Sequence, residues 1–310
     1  MHSRSSLTII LSLTLLAGVV SPSFSHYLRA EMASTNYRID WDTISNGGLD
    51  TSSSASYQLR DTIGNPAIGD SSSSSYNLAA GYRGGVEDQV LTFTLLPQAA
   101  SVEQVATVLS GNIVTVVSTT DFEVDDYAIV VQDIGTDQVT GFGKITAKTS
   151  TTLTFDDLAD NGTAPVVDGS NDRVYLLEGA DISFSTLSSS EVVTEIVGFE
   201  VTAASDNGYS VQIADDGNLR SGSSDVDDVS DGGVSVGSEE YGGRSSDTSL
   251  ASSTFDTADS ALTTSLQPVV TEASAAFDDR HFFTLKAAVS NSTAGGTYTQ
   301  VLTVVATGNY

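Results

Sequence analysis

Six Asn-Gly or Asp-Gly dipeptides divide this chain into short stretches, and they constrain its fold more than any other feature. They are Asn46-Gly47, Asn161-Gly162, Asp168-Gly169, Asn207-Gly208, Asp216-Gly217 and Asp231-Gly232. Both residues of such a pair tolerate the positive φ angles of tight hairpin turns. The runs between them are rich in Val, Ile, Thr, Phe and Tyr, which is typical of β-strands. The pattern predicts an all-β protein.

The predicted strands lie at 113–117, 127–131, 153–155, 174–177, 182–184, 209–213, 282–289 and 298–306. Helical periodicity is scarce. Val102, Val105 and Leu109 fit one helical face, but the same segment also fits a hairpin that turns at Ser110-Gly111-Asn112. The hairpin is the preferred interpretation because a second Val-rich run follows the turn.

The first thirty residues are typical of a secretory signal peptide. Arg4 supplies positive charge, residues 7–20 form an uncharged apolar run, and Ser23 and Ser25 are the small residues that a signal peptidase recognises. A membrane-spanning helix needs about 18 or more apolar residues, so an uncleaved anchor is the less favoured alternative. We expect cleavage after Ser25, or after Ala30 or Ala33, and secretion to the extracellular cell surface.

Charge and cysteine content exclude several classes of protein. The chain has 40 Asp and Glu residues against 12 Lys and Arg residues, a net charge of -28. Because phosphate neutralisation needs clustered cations, we expect no nucleic-acid partner. The absence of cysteine excludes disulfides, thiolate metal sites and cysteine nucleophiles. The expected partners are other surface proteins, cell-envelope glycans or further copies of the chain, with no membrane span in the mature protein.

A repeat occupies the first part of the mature chain. Tyr37, Tyr57 and Tyr76 each precede an aliphatic residue by two positions, and each lies in a Ser-rich context. Repetition at a period of about 20 residues predicts stacked β units. A Ser-rich linker with chance similarity is the alternative.

Changes in composition predict four parts of the chain. They are a signal peptide at 1–25, a Ser-rich Tyr-x-Leu repeat segment at 26–88, a small β module at 89–179, and an Ig-like β-sandwich at 180–310 with a long acidic loop at 217–258. The β module is predicted to be a five- or six-stranded barrel. In the sandwich, Phe283 and Leu285 alternate with Thr284 and Lys286, which predicts one buried face and one solvated face.

Several segments carry a family resemblance. They include Tyr57-Gln58-Leu59-Arg60-Asp61-Thr62-Ile63-Gly64, Asn207-Gly208-Tyr209-Ser210-Val211, Gly237-Ser238-Glu239-Glu240-Tyr241-Gly242 and Gly296-Thr297-Tyr298-Thr299-Gln300-Val301. In these the chain resembles exported β-rich surface proteins of ultrasmall, candidate-phyla bacteria. The middle segment is similar to small β modules of secreted bacterial proteins. The resemblance implies extracellular placement and a β-rich fold, and it brings no ligand or catalytic residue.

Carboxylates in the predicted acidic loop are candidate ligands for Ca²⁺, which takes six to eight oxygen ligands. The candidates are Asp215, Asp216, Asp225, Asp227, Asp228 and Asp231. The spacing of an EF-hand is incomplete, because Val229 stands where a third ligand would fall. A solvated acidic loop is the alternative. Only His26 and His281 remain after signal cleavage, so a histidine-based zinc or iron site is not expected.

One catalytic motif matches by spacing alone. Gly233-Val234-Ser235-Val236-Gly237 has the Gly-x-Ser-x-Gly form, and Asp278 and His281 follow in hydrolase order. That motif needs a strand, a sharp turn and a helix, which this Gly- and Ser-rich stretch does not predict. We therefore expect no catalytic activity, and a structural or adhesive role at the cell surface. The alternatives are a subunit of a surface fibre or layer, and a glycan- or protein-binding module that depends on calcium.

Overall fold

The computed structural model describes residues 90–309 throughout and, before them, only the backbone of six short strands. These are β1 (Met32–Ala33), β2 (Arg38–Ile39), β3 (Gly47–Ser53), β4 (Gln58–Ile63), β5 (Gly69–Ser72) and β6 (Asn77–Ala80). They pair antiparallel in chain order, two by two. The predicted signal peptide and the three repeat tyrosines lie outside the described residues, so both stay predictions. Residues 1–87 and 88–310 form separate compact units.

Within residues 90–309 sixteen further strands follow. They are β7 (Leu91–Pro97), β8 (Glu103–Ser110), β9 (Ile113–Val116), β10 (Tyr127–Gln132), β11 (Val139–Lys148), β12 (Thr152–Phe155), β13 (Ala159–Asp160), β14 (Arg173–Leu176), β15 (Val193–Ala203), β16 (Tyr209–Asp215), β17 (Arg220–Ser221), β18 (Ser224–Asp225), β19 (Glu240–Ser245), β20 (Gln267–Glu272), β21 (Ala276–Ala288) and β22 (Leu302–Gly308). This range contains no helix, so the all-β prediction is confirmed there. In the described part of the chain, no helix is long and apolar enough to cross a membrane.

Six strands close into a barrel in the order β10-β14-β8-β9-β12-β11, with β11 pairing back to β10. Every pairing is antiparallel. Every second side chain of a barrel strand points into the barrel interior. On β12, for example, Leu153 and Phe155 are buried while Thr152 and Thr154 are partly exposed. Gly111 turns the β8–β9 hairpin with a φ of 57°. The prediction of a small barrel and that of this hairpin are both confirmed.

Two sheets pack over a common core to form the sandwich. One has the order β19-β21-β15-β7 and the other β20-β16-β22. Phe199, Phe283 and Leu285 from the first sheet and Tyr209 and Val211 from the second are buried in one cluster. Lettered A to G along the chain, the sheets are A-B-F-D and E-C-G. Immunoglobulin constant domains have A-B-E-D and C-F-G. The Ig-like part of the prediction is therefore not confirmed.

Three expectations differ from the structure. The sandwich begins at β7, before the barrel rather than at residue 180, because β7 pairs with β15. The predicted loop at 217–258 contains β19, which pairs with β21. The run 182–184 forms no strand, although Ile182 and Phe184 pack against the core.

The barrel covers the outer face of the larger sandwich sheet. Ile129, Val131 and Phe142 of the barrel share an apolar cluster with Leu96, Ile196 and Phe282 of the sandwich. The expectation that Thr284 and Lys286 face solvent is therefore wrong, since both are buried. A sheet covered on both faces has buried residues at consecutive positions, as residues 282–288 of β21 show.

Candidate functional site

A polar cavity of about 210 Å³ lies between the barrel and the sandwich, beside their apolar contact. Gln138 and Thr140 line it from the barrel, and Arg244, Thr284 and Lys286 line it from β19 and β21. The alternation of β21 sends Thr284 and Lys286 toward the barrel while Phe283 and Leu285 enter the sandwich core. The cavity therefore forms because the larger sandwich sheet packs against the second sheet on one face and against the barrel on the other.

Arg244 gives this cavity a positive group in a strongly acidic chain. Its Nη2 donates to the carbonyl oxygen of Thr257 at 3.3 Å. Within residues 90–309 it makes no ion pair and no other side-chain hydrogen bond. A guanidinium carries five N–H donors in a planar fork that matches a carboxylate. Arg244 is therefore able to bind an anion.

Lys286 and Asp259 form a buried ion pair next to the cavity. Lys286 Nζ lies 3.0 Å from Asp259 Oδ1, and the two side chains are only 6% and 3% exposed. The ammonium also donates to the carbonyl oxygen of Thr136 at 2.9 Å. Asp259 Oδ2 accepts from the backbone N–H of Val234 at 3.0 Å, whereas Oδ1 accepts no hydrogen bond of good geometry. The two carboxylate oxygens thus have different surroundings.

Arg280 joins the barrel to the sandwich on the other side of the apolar contact. Its two terminal nitrogens each donate to Asp156 at 2.8 Å, and its Nε donates to Glu200 at 2.8 Å. Tyr127 donates to Glu200 at 2.6 Å, and its ring lies 5.6 Å from the guanidinium carbon. Burial alone would raise the pKa of Asp156, but hydrogen bonds from Arg280 and from backbone N–H groups lower it overall.

The predicted calcium ligands separate into two groups. Asp216 pairs with Arg220 at 2.7 Å, and Asp231 accepts from the N–H of Gly233. The other four are Asp215, Asp225, Asp227 and Asp228. Burial raises the pKa of Asp228, and the charges of Asp215, Asp227 and Asp225 add to that effect.

The environment of these four carboxylates leaves the calcium prediction open. Asp215 accepts from the N–H of Gly217 and from Gln300, and Asp225 accepts from Asn218. Among the described residues, no three carboxylate or histidine side chains are grouped as metal ligands would be. Calcium binding therefore stays a prediction from ligand type.

The hydrolase motif is not assembled as its spacing suggested. The hydroxyl of Ser235 donates to the carbonyl oxygen of Gly233, and Asp278 accepts from Thr202. His281 instead lies 3.4 Å from the Ser246 hydroxyl through Nδ1 and 3.5 Å from Asp279 through Nε2. Ser246 is itself buried and accepts from the N–H of Phe282. Its hydroxyl is therefore occupied within the sheet.

Comparison with known proteins leaves the sequence resemblance as a prediction. No family model matches the chain, and neither a curated protein nor a solved structure matches it.

The residues that sequence reasoning missed are cations. Arg244, Arg280 and Lys286 lie on β19 and β21, and Arg280 and Lys286 bind barrel residues far away in the chain. The sequence offered one signal for them. Lys and Arg are rare in this chain, with 12 against 40 Asp and Glu, yet three of them lie within 43 positions.

Proposed function

We propose that this chain is an exported β-protein of the cell surface with a structural or adhesive role. The observation that supports this role is the double contact between barrel and sandwich. Apolar side chains of the barrel and the sandwich share one cluster with Phe282. Arg280, two positions before Phe282, binds Asp156 of the barrel and Glu200 of the sandwich. Two modules held in this way form one stiff unit, which suits a protein that bears load or presents a surface. The predicted signal peptide supplies the route to the outside.

Surface placement is testable on intact cells that produce the full chain. We expect an antibody against residues 90–309 to label unpermeabilised cells, and external protease to remove the label. The mature N-terminus should be His26, or Glu31 or Ser34 if cleavage follows Ala30 or Ala33. As a control, a chain that lacks residues 1–25 should stay inside the cell. Retention of Met1, or a label that only permeabilisation reveals, contradicts the proposal. Negative-stain images of purified protein would separate fibres, the alternative assembly, from single particles.

A second function, glycan binding, is favoured by the surroundings of Arg244. We propose that the polar cavity between the barrel and the sandwich binds one carboxylate-bearing sugar residue, such as a uronic acid. The guanidinium would bind the carboxylate, and the amide and hydroxyl groups of Gln138, Thr140 and Thr284 would bind sugar hydroxyls. Asp137 lies at the edge of the cavity and is exposed, so its charge opposes an anionic ligand.

Titration calorimetry with glucuronate tests this second function. We expect binding to the wild-type protein, no binding to the Arg244→Gln variant, and tighter binding to the Asp137→Asn variant. Glucose and acetate separate the contributions of the ring and of the carboxylate. Equal heats for wild type and Arg244→Gln would remove the cavity as the binding site.

A further inference from the structure

Lys286 and Asp259 form an ion pair, and they are also placed to react with each other. Lys286 lies on β21, and Asp259 lies in the segment before β20, next to the bridge between Gly243 and Ser260. Both side chains are more than nine-tenths buried, and Nζ and Oδ1 are 3.0 Å apart. Reacting groups held in contact and in fixed orientation behave as if present at very high concentration. We propose that the two side chains condense into an isopeptide bond.

The reaction needs no other reagent. The Lys286 ammonium transfers one proton to Asp259 Oδ1, and the neutral Nζ then attacks Asp259 Cγ. As the N–C bond forms, the Cγ–Oδ1 bond breaks, and Oδ1 leaves as water with a second proton from Nζ. The product is a neutral amide and one water molecule, with no oxidation or reduction. Nζ keeps one hydrogen, and Oδ2 becomes the amide carbonyl oxygen.

The surroundings of Asp259 distinguish the oxygen that stays from the oxygen that leaves. The N–H of Val234 donates to Oδ2, where negative charge develops during the attack, and such a fixed donor stabilises that charge. Oδ1 has no hydrogen bond of good geometry and lies next to the proton source. This arrangement favours departure of Oδ1 as water.

Burial supports condensation over a lasting ion pair. Val234 belongs to a small apolar cluster with Val192, Val229 and Ala288, and Ala288 is two positions from Lys286. Keeping two charges away from water is costly, whereas a neutral amide avoids that cost. The link would close a loop of 27 positions and constrain the unfolded chain as a disulfide does, in a protein without cysteine.

Peptide mass spectrometry of the purified full chain tests the inference, which does not rest on the proposed function. After denaturation, trypsin should cut at Arg244 and Arg280 but not after the acylated Lys286. The expected product joins 245–280 to 281–310 and is lighter than their sum by one water molecule. Fragmentation should place the link at Asp259 and Lys286. Release of the free peptide 281–286 as the main product would overturn the proposal.

Two variants separate the bond from the fold. In the Asp259→Asn variant, condensation releases ammonia, so the joined peptide should be lighter by one ammonia molecule. The Asp259→Ala variant should give two separate peptides and a lower melting temperature than wild type. Joined peptides in Asp259→Ala would place the link elsewhere and contradict the assignment. Because the central measurement is made on wild-type protein, failure of a variant to fold leaves the test intact.

Discussion

The Arg280→Met variant is expected to lose about 3 kcal/mol of unfolding free energy, because it leaves the carboxylates of Asp156 and Glu200 without their shared cation. The Arg280 and Glu200 side chains are only 11% and 15% exposed, so water cannot replace the lost contacts fully. Asp156 is 34% exposed, which places the loss at the lower end of the range for buried pairs. Urea unfolding of residues 88–310, followed by far-ultraviolet circular dichroism, measures the change.

The matched control is the Arg220→Met variant. Arg220 pairs with Asp216 at 2.7 Å in an exposed turn, where solvent screens the interaction. We expect its unfolding midpoint to equal that of wild type. A second comparison adds Glu200→Gln and Asp156→Asn to Arg280→Met, which should recover part of the loss by removing the orphaned charges. Equal midpoints for Arg280→Met and Arg220→Met would show that the barrel and sandwich do not depend on this cluster.

The Glu195→Gln variant is expected to change how stability depends on pH. Glu195 is only 6% exposed, and one of its carboxylate oxygens accepts no hydrogen bond. Burial raises its pKa from 4.5 to about 8. The folded protein therefore keeps this proton up to about pH 8, whereas the unfolded chain releases it near pH 4.5. The unfolding free energy should fall as pH rises through that interval and level off above it.

In the variant this decline should be absent. We expect Glu195→Gln to match wild type near pH 4 and to exceed its stability at pH 9 by a few kcal/mol, on the order that such a shift implies. Urea titrations at pH 4, 6, 8 and 9 provide the measurement. The Glu178→Gln variant, at an exposed position between β14 and β15, is the control and should follow the wild-type profile. The same dependence of stability on pH in all three proteins would contradict the raised pKa of Glu195.

Local pattern predicted the β8–β9 hairpin, whereas contacts between distant parts of the chain determine the sheet order. The β8–β9 hairpin could be predicted because Ser110-Gly111-Asn112 supplies the turn and Val-rich runs flank it. The placement of β7 could not, because its partner β15 follows the whole barrel in sequence. β19 was missed since Gly242 and Gly243 are typical of loops. A Cβ on Gly243 would lie 2.3 Å from the Phe283 ring, so close packing requires glycine there.

The candidate site was hidden for a similar reason. Alternation on β21 was predicted correctly, but it cannot tell whether the second face meets water or another module. Lys286 was therefore predicted to face solvent, and Arg280 lay outside the predicted strand at 282–289. Their roles depend on barrel residues such as Thr136 and Asp156, and the Arg280–Asp156 contact spans 124 positions. No local pattern reports such a distance.

The chain segments that lead into and out of the barrel are hydrogen-bonded to each other, and this has a mechanical consequence. Gln98 donates its N–H to the carbonyl oxygen of Ile196 at 2.9 Å, and Gly179 donates to that of Pro97 at 2.8 Å. A pulling force applied at residues 90 and 309 therefore enters the sheet through the β7–β15 hydrogen bonds. The barrel is bypassed as long as β7 stays paired with β15, and its length of chain becomes available only after β7 has separated from that partner.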